Sequence, residues 1–128
     1  SLGLPDGARR VLAAEAADAF VVKPMVAGGL RGARALIDLA AGAGLSTVVT
    51  TTIDAGVGVV AALHLAATLS PPVPACGLAT GPLLAADLLA ESVEAEDGMI
   101  RVPDRAGLGV ALDEEQIRRF AGAWRELA

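Results

Sequence analysis

Two short β-favouring runs, AFVVK at Ala19–Lys23 and TVVTTT at Thr47–Thr52, begin about 28 residues apart and enclose one helical stretch. Valine and threonine are stiff at χ1 and suit a pleated, packed surface. Between them, Leu30–Ala41 sets Leu30, Ala33, Leu36, Ile37 and Ala40 on one helical stripe. A connection that long excludes a tight hairpin and predicts parallel strands with a right-handed crossover. The fold class that follows is α/β.

The rest of the chain repeats the alternation. Asp6, in the turn Pro5-Asp6-Gly7, is placed to cap a helix over Ala8–Ala17. Gly28-Gly29 open the helix Leu30–Ala41, and Gly42 and Gly44 close it. After Ile53–Gly58 a further helix is predicted over Val59–Leu69, stopped by Pro71, Pro72 and Pro74. Ala75–Leu78 reads as a third strand, Leu83–Ala90 as a helix started by Thr80-Gly81-Pro82, and Met99–Val102 as a fourth short strand. Asp113, with Gln116 at capping-box spacing, starts a terminal helix through Leu127, on which Phe120 and Trp124 form an aromatic anchor.

Composition decides between a small open sheet and part of something larger. The 128 residues are 54% hydrophobic with 2% aromatic, mostly short Ala, Val and Leu runs, which suits strands covered on both faces. Three β–loop–α units cannot close on themselves, and sheet edges this apolar invite aggregation. A complete (β/α)8 barrel takes about 250 residues. The expectation is one portion of a larger barrel, spanning residues 1–128. The net charge of −5 argues against nucleic acid as a partner, which would need clustered positive charge. No apolar stretch approaches the roughly 20 residues of a membrane helix, so no membrane partner is expected. Cys76 is alone, which rules out an internal disulfide and fits a cytoplasmic setting; it reads as a small buried filler.

One cation is out of keeping with the rest. Lys23 is the single lysine, set against nine arginines, and it ends the first apolar run just before Pro24. An ammonium can surrender its proton when desolvated and a guanidinium cannot. The carboxyl ends of parallel strands are where α/β enzymes keep their chemistry. The alternative is a lysine that merely snorkels to water. His64 lies in an apolar helix without ligand-spaced partners and reads as a structural helix residue.

The stretch VVKPMVAGGLRGARALIDLAAGAGLSTVVTTTIDAGVGVVAALHLAATL, with the later CGLATGPLLAADLL and GMIRVPDRAGLGVALD, resembles the C-terminal barrel region of the enolase superfamily, muconate-lactonizing subgroup. The KP-x(3)-GG block followed by a threonine-rich strand and [ED]-x-G-x-G carries the resemblance. Within the subgroup the similarity points most to the o-succinylbenzoate synthases. The resemblance implies that Ala19–Lys23, Thr47–Thr52 and Ala75–Leu78 are barrel strands six to eight, with their helices and the C-terminal tail. It also implies an N-terminal capping domain and five earlier strands outside this chain, carrying a K-x-K lysine and three acidic ligands for Mg²⁺.

The implied reaction is a lyase reaction, dehydration of a succinyl-hydroxycyclohexadiene carboxylate through an enediolate in menaquinone biosynthesis. Lys23 would be the sixth-strand lysine, an electrostatic partner to the enediolate. Thr50, Thr51, Thr52 and Gly77 would line the pocket for the succinyl tail, with Asp54 where relatives carry Glu. The partners implied are a small carboxylate substrate and the remainder of the barrel, without which the 128 residues are expected to be inactive. The same scaffold also serves N-acylamino acid racemases, dipeptide epimerases and muconate-type cycloisomerases, in which paired lysines act as acid and base. A non-catalytic half-barrel binding or assembly module is the reading from a different class.

Overall fold

The structure, a computed structural model, describes residues 5–122. The element order is α1 (Pro5–Ala13), β1 (Ala19–Val22), α2 (Leu30–Gly42), β2 (Ser46–Val49), α3 (Gly56–Ala66), a 3₁₀ turn at Gly81–Leu83, and α4 (Glu114–Phe120). β1 and β2 are parallel, with Ala19 opposite Ser46 and Val22 opposite Val49, and α2 is their crossover. The ladder runs one step further, since Thr50 N donates to Val22 O at 3.0 Å.

Alternation divides the strands into two faces. Phe20, Val22 and Val49 are fully buried against Ala33, Leu36, Ile37 and Ala40 of α2 and Val59, Ala62 and Leu63 of α3. That is the helix-covered face. Ala19 and Val21 point the other way, and Val21 is 54% exposed. A parallel sheet with one apolar face bare is unusual, because such sheets are normally covered on both sides. α3 is apolar nearly all round, and its Val60, Leu65 and Ala66 are buried as well. No helix among the described residues is long and apolar enough to cross a membrane.

Several expected elements differ, each for an identifiable reason. α1 starts at Pro5 rather than Ala8, so Asp6 lies inside the first turn, paired with Arg9 at 3.3 Å instead of capping. It ends early because Glu15 turns left-handed (φ 49) and Ala16 N closes on Val11 O, a Schellman ending with Glu in the usual glycine position. The third strand, expected at Ala75–Leu78, is reduced to one parallel bridge between Gly77 and Thr50. Pro74 precedes it without an N–H, and the Thr80 N to Leu78 O turn ends it at once.

No helix forms over Leu83–Ala90. There the backbone pairs with the tail instead, Ala90 N to Ala111 O and Asp113 N to Leu88 O. The expected strand at Met99–Val102 does not form: Met99 closes a tight turn on Glu96 around Asp97 (φ 51) and Gly98 (φ 76), and residues 100–102 take no regular structure. Asp113 does cap α4, accepting from Glu115 N and Gln116 N. The reciprocal half of a capping box is not made, for Asp113 N is taken by Leu88 O and the Gln116 Oε1 atom is buried without a partner. The continuation of this helix towards Leu127, with Trp124, lies outside the described residues.

Candidate active site

The carboxyl ends of β1 and β2, with Gly77 beside them, form one rim. Lys23 follows Val22 directly, and continued alternation sets it on the Val21 side, away from the helices. It is half-buried. Its backbone is clamped by the turn that follows, because Lys23 O accepts from both Val26 N (3.0 Å) and Ala27 N (2.9 Å). Gly29 N then donates to Pro24 O at 2.8 Å, which carries the chain through Gly28 (φ 78) and Gly29 (φ 97) into α2. Left-handed backbone at two successive positions is what the paired glycines supply. Among the described residues no carboxylate lies within ion-pairing distance of Lys23, unlike Arg9 and Arg34, which pair with Asp6 and Asp38.

Thr50 is next to Lys23 in the continued register and shares the face of Val48. Its hydroxyl donates to Gly77 O at 2.8 Å. Gly77 has no room for a side chain, since a Cβ there would lie 2.6 Å from Thr50 Oγ1. The threonine thus lies across the glycine and leaves its oxygen lone pairs and its methyl for whatever fills the rim. The strand register thus sets Lys23 beside Thr50, whose hydroxyl is bonded to the Gly77 backbone.

The other expected pocket residues are placed differently. Thr51 is buried on the helix side, its hydroxyl 3.0 Å from that of Thr80. Thr52 is exposed and donates to Asp54 Oδ1. Asp54 leans on the first turn of α3, where a Cβ on Gly58 would sit 2.8 Å from Asp54 Cβ. Thr52 and Asp54 thus form a unit within the loop after β2, and Thr51 ties that loop to the segment after Gly77.

The sequence offered no site role for Gly32 or Asp87, and Thr80 was read only as part of a helix start. A Cβ at Gly32 would overlap the carbonyl oxygen of Ala27, within the turn that holds Lys23. Asp87 Oδ1 accepts from Gly56 N and Leu88 N, both at 2.7 Å. Asp87 has no local signature because its partner Gly56 is distant in sequence, whereas Gly32 is set against nearby Ala27 by the turn that precedes α2. His64 also proves more specific than a helix filler, its Nε2 lying 3.1 Å from Leu108 O and tying the tail to α3. Cys76 is half-buried, its thiol directed to Pro74 O.

The described residues of this chain do not fit a Mg²⁺ site. Among the described residues no three His, Cys, Asp or Glu side chains come together as a ligand set. Asp54 is committed to Thr52 and Asp87 to two backbone N–H groups. What the rim offers to developing negative charge is the ammonium of Lys23, since the Thr50 proton and the Gly77 N–H are committed to Gly77 O and Val49 O.

Comparison with known proteins fits this geometry. Residues 1–116 match the family described as enolase C-terminal domain-like. A chloromuconate cycloisomerase of Cupriavidus pinatubonensis is 36% identical over 117 residues, 91% of this chain and 31% of that protein. An o-succinylbenzoate synthase of Mycobacterium bovis is 40% identical over 102 residues, 77% of this chain and 30% of that protein. The structure of a muconate lactonizing enzyme from Pseudomonas putida superposes with a TM-score of 0.87 at 28% identity, covering 95% of this chain and 34% of that one. The chain therefore spans about a third of the length of the proteins it matches. With its parallel strands, crossover helix and strand-end lysine in the positions that the family match covers, this chain belongs to the enolase C-terminal domain-like family.

Proposed function

We propose that this chain supplies strands six to eight of an enolase-superfamily barrel that forms an enediolate from a small carboxylate substrate. Lys23 is the residue of this chain that faces the reacting group. The observation that carries the reading is its position, on the side opposite the helices at the end of β1 and unpaired among the described residues. Removing a proton next to a carboxylate builds a second negative charge. A nearby ammonium in a water-poor cavity stabilises that charge more than the ground state, which is the condition for lowering the barrier.

Thr50 and Gly77 shape the wall beside Lys23, and the Thr52–Asp54 pair holds the loop above it. The base, the ligands of any Mg²⁺ and the capping domain belong, in this proposal, to the remainder of the barrel. That remainder is the macromolecular partner, and it covers the bare face around Val21. The cytoplasmic setting expected from the lone Cys76 goes with this reading.

Two reactions share this chemistry. Muconate-type cycloisomerisation is favoured by relatives that match 91% of the chain, among them one from Acinetobacter lwoffii. o-Succinylbenzoate formation is favoured by 40% identity to a synthase. The test is to offer a muconate, and separately the succinyl-hydroxycyclohexadiene carboxylate, to the protein carrying this chain with the rest of the barrel present. Turnover of either, followed by ultraviolet absorbance, is the expected outcome and names the reaction. Turnover of neither, in a folded protein supplied with Mg²⁺, contradicts the proposal.

A further inference from the structure

The turn between β2 and α3 is held by a residue far away in sequence. α3 begins at Gly56 with no side-chain cap of its own, its preceding residue being Ala55. Its first N–H is taken instead by Asp87, 31 residues on, at 2.7 Å. The same Oδ1 atom accepts from Leu88 N at 2.7 Å, so the carboxylate is anchored to its own segment while it grips the helix. The fit is close. A Cβ at Gly56 would overlap Asp87 Oδ2 and come within 2.5 Å of Leu89 Cδ1.

What this grip holds is a strained turn. Ile53 is left-handed (φ 63), a conformation that a β-branched side chain resists because its Cβ crowds the backbone. Such a residue persists only where its surroundings over-determine it. Here they do so from both sides. Thr51 is tied to Thr80 and Thr52 to Asp54 before and around the turn, and Gly56 is tied to Asp87 after it. Thr50, at the near end of the same segment, lies beside Lys23 on the rim.

We infer that Asp87 is a positioning residue, fixing the strand end Thr50–Asp54 beside Lys23 by capping α3 from across the fold. It touches no reacting atom and acts through the turn. The catalytic part of this inference rests on the function proposed above, whereas the conformational part does not.

The test uses Asp87→Ala and Asp87→Asn in the protein carrying this chain, with the remainder of the barrel present. Two readings are taken, amide hydrogen exchange at Gly56 and steady-state kinetics on the turned-over carboxylate. Asparagine keeps an Oδ1 acceptor able to receive both N–H groups, and alanine does not. Asp87→Ala is expected to speed exchange at Gly56 and to lower kcat by about 10- to 100-fold with a smaller change in KM, as misplacement of a rim by about 1 Å does. Asp87→Asn is expected to restore most of both.

Gly56 exchange unaltered by Asp87→Ala overturns the inference, and so does an Asp87→Asn variant as impaired in both readings as the alanine. If the unsubstituted protein turns over no carboxylate while Gly56 exchange still depends on Asp87, the conformational role stands and only the proposed function fails.

Discussion

Lys23→Ala is expected to lower kcat of the assembled enzyme by about 100- to 1,000-fold, the usual cost of removing one preorganised group from a developing anion. The effect falls on kcat more than on KM, because the charge that Lys23 opposes is full only in the transition state. Folding stability should change by no more than about 0.5 kcal/mol. Lys23 makes no ion pair among the described residues, and its place in the fold is set by backbone bonds from Val26 and Ala27 that alanine retains.

Lys23→Arg separates the two reactions proposed. If the lysine only opposes charge, as expected for o-succinylbenzoate formation, arginine keeps the cation and part of the rate. If it also gives or takes a proton, as in a paired-lysine cycloisomerase, arginine should be as slow as alanine, since a guanidinium does not deprotonate near neutral pH. Unchanged kcat in both variants rejects a catalytic lysine.

Gly32→Ala is expected to carry the largest loss of stability, and in a direction opposite to helix propensity. Inside a helix alanine is favoured over glycine by about 1 kcal/mol. Gly32 lies in the first turns of α2, so propensity alone predicts a gain. Packing reverses the sign, because the new methyl group would overlap the Ala27 carbonyl oxygen. A backbone atom cannot swing aside as a side-chain tip can, and the expected cost is about 3 kcal/mol. Ala27 N is bonded to Lys23 O, so relief of the clash disturbs the lysine turn, and activity should fall with stability. Gly42→Ala is the control. It lies in the last turn of the same helix with nothing within 4 Å of the added methyl, and it should be neutral or slightly stabilising. Denaturant midpoints of the two variants check the claim, and equal midpoints would refute it.

The parts legible in the sequence are those governed by local patterns. The β-branched runs gave β1 and β2, the apolar stripe gave α2, and their spacing gave the parallel crossover. Asp113 was readable as a helix cap because capping is a contact over two or three residues. The segment Leu83–Ala90 was not, since its leucines and alanines favour a helix that the folded chain overrides. The backbone of Leu88 and Ala90 is paired with residues 111–113, a long-range competition invisible in a local window. The third strand shrank to Gly77 for a related reason, as prolines and a turn flank it closely. Within the candidate site, Lys23 stood out by composition, and Gly77 entered only through the family resemblance. Thr51 was grouped with its neighbours although strand alternation turns it to the helix side. Asp87 matters through Gly56, a partner that only folding brings close, and Gly32 through the tight turn at Ala27, whose geometry residue types alone do not reveal.

The central claim is that the Lys23 ammonium faces the cavity of an assembled barrel, and a structure of that barrel with a bound carboxylate substrate or product tests it most directly. Lys23 Nζ is expected within about 4–6 Å of the ligand carboxylate, the range over which opposite charges act strongly. A nitrogen turned into the α2–α3 layer, or extended into bulk water away from the ligand, would contradict it.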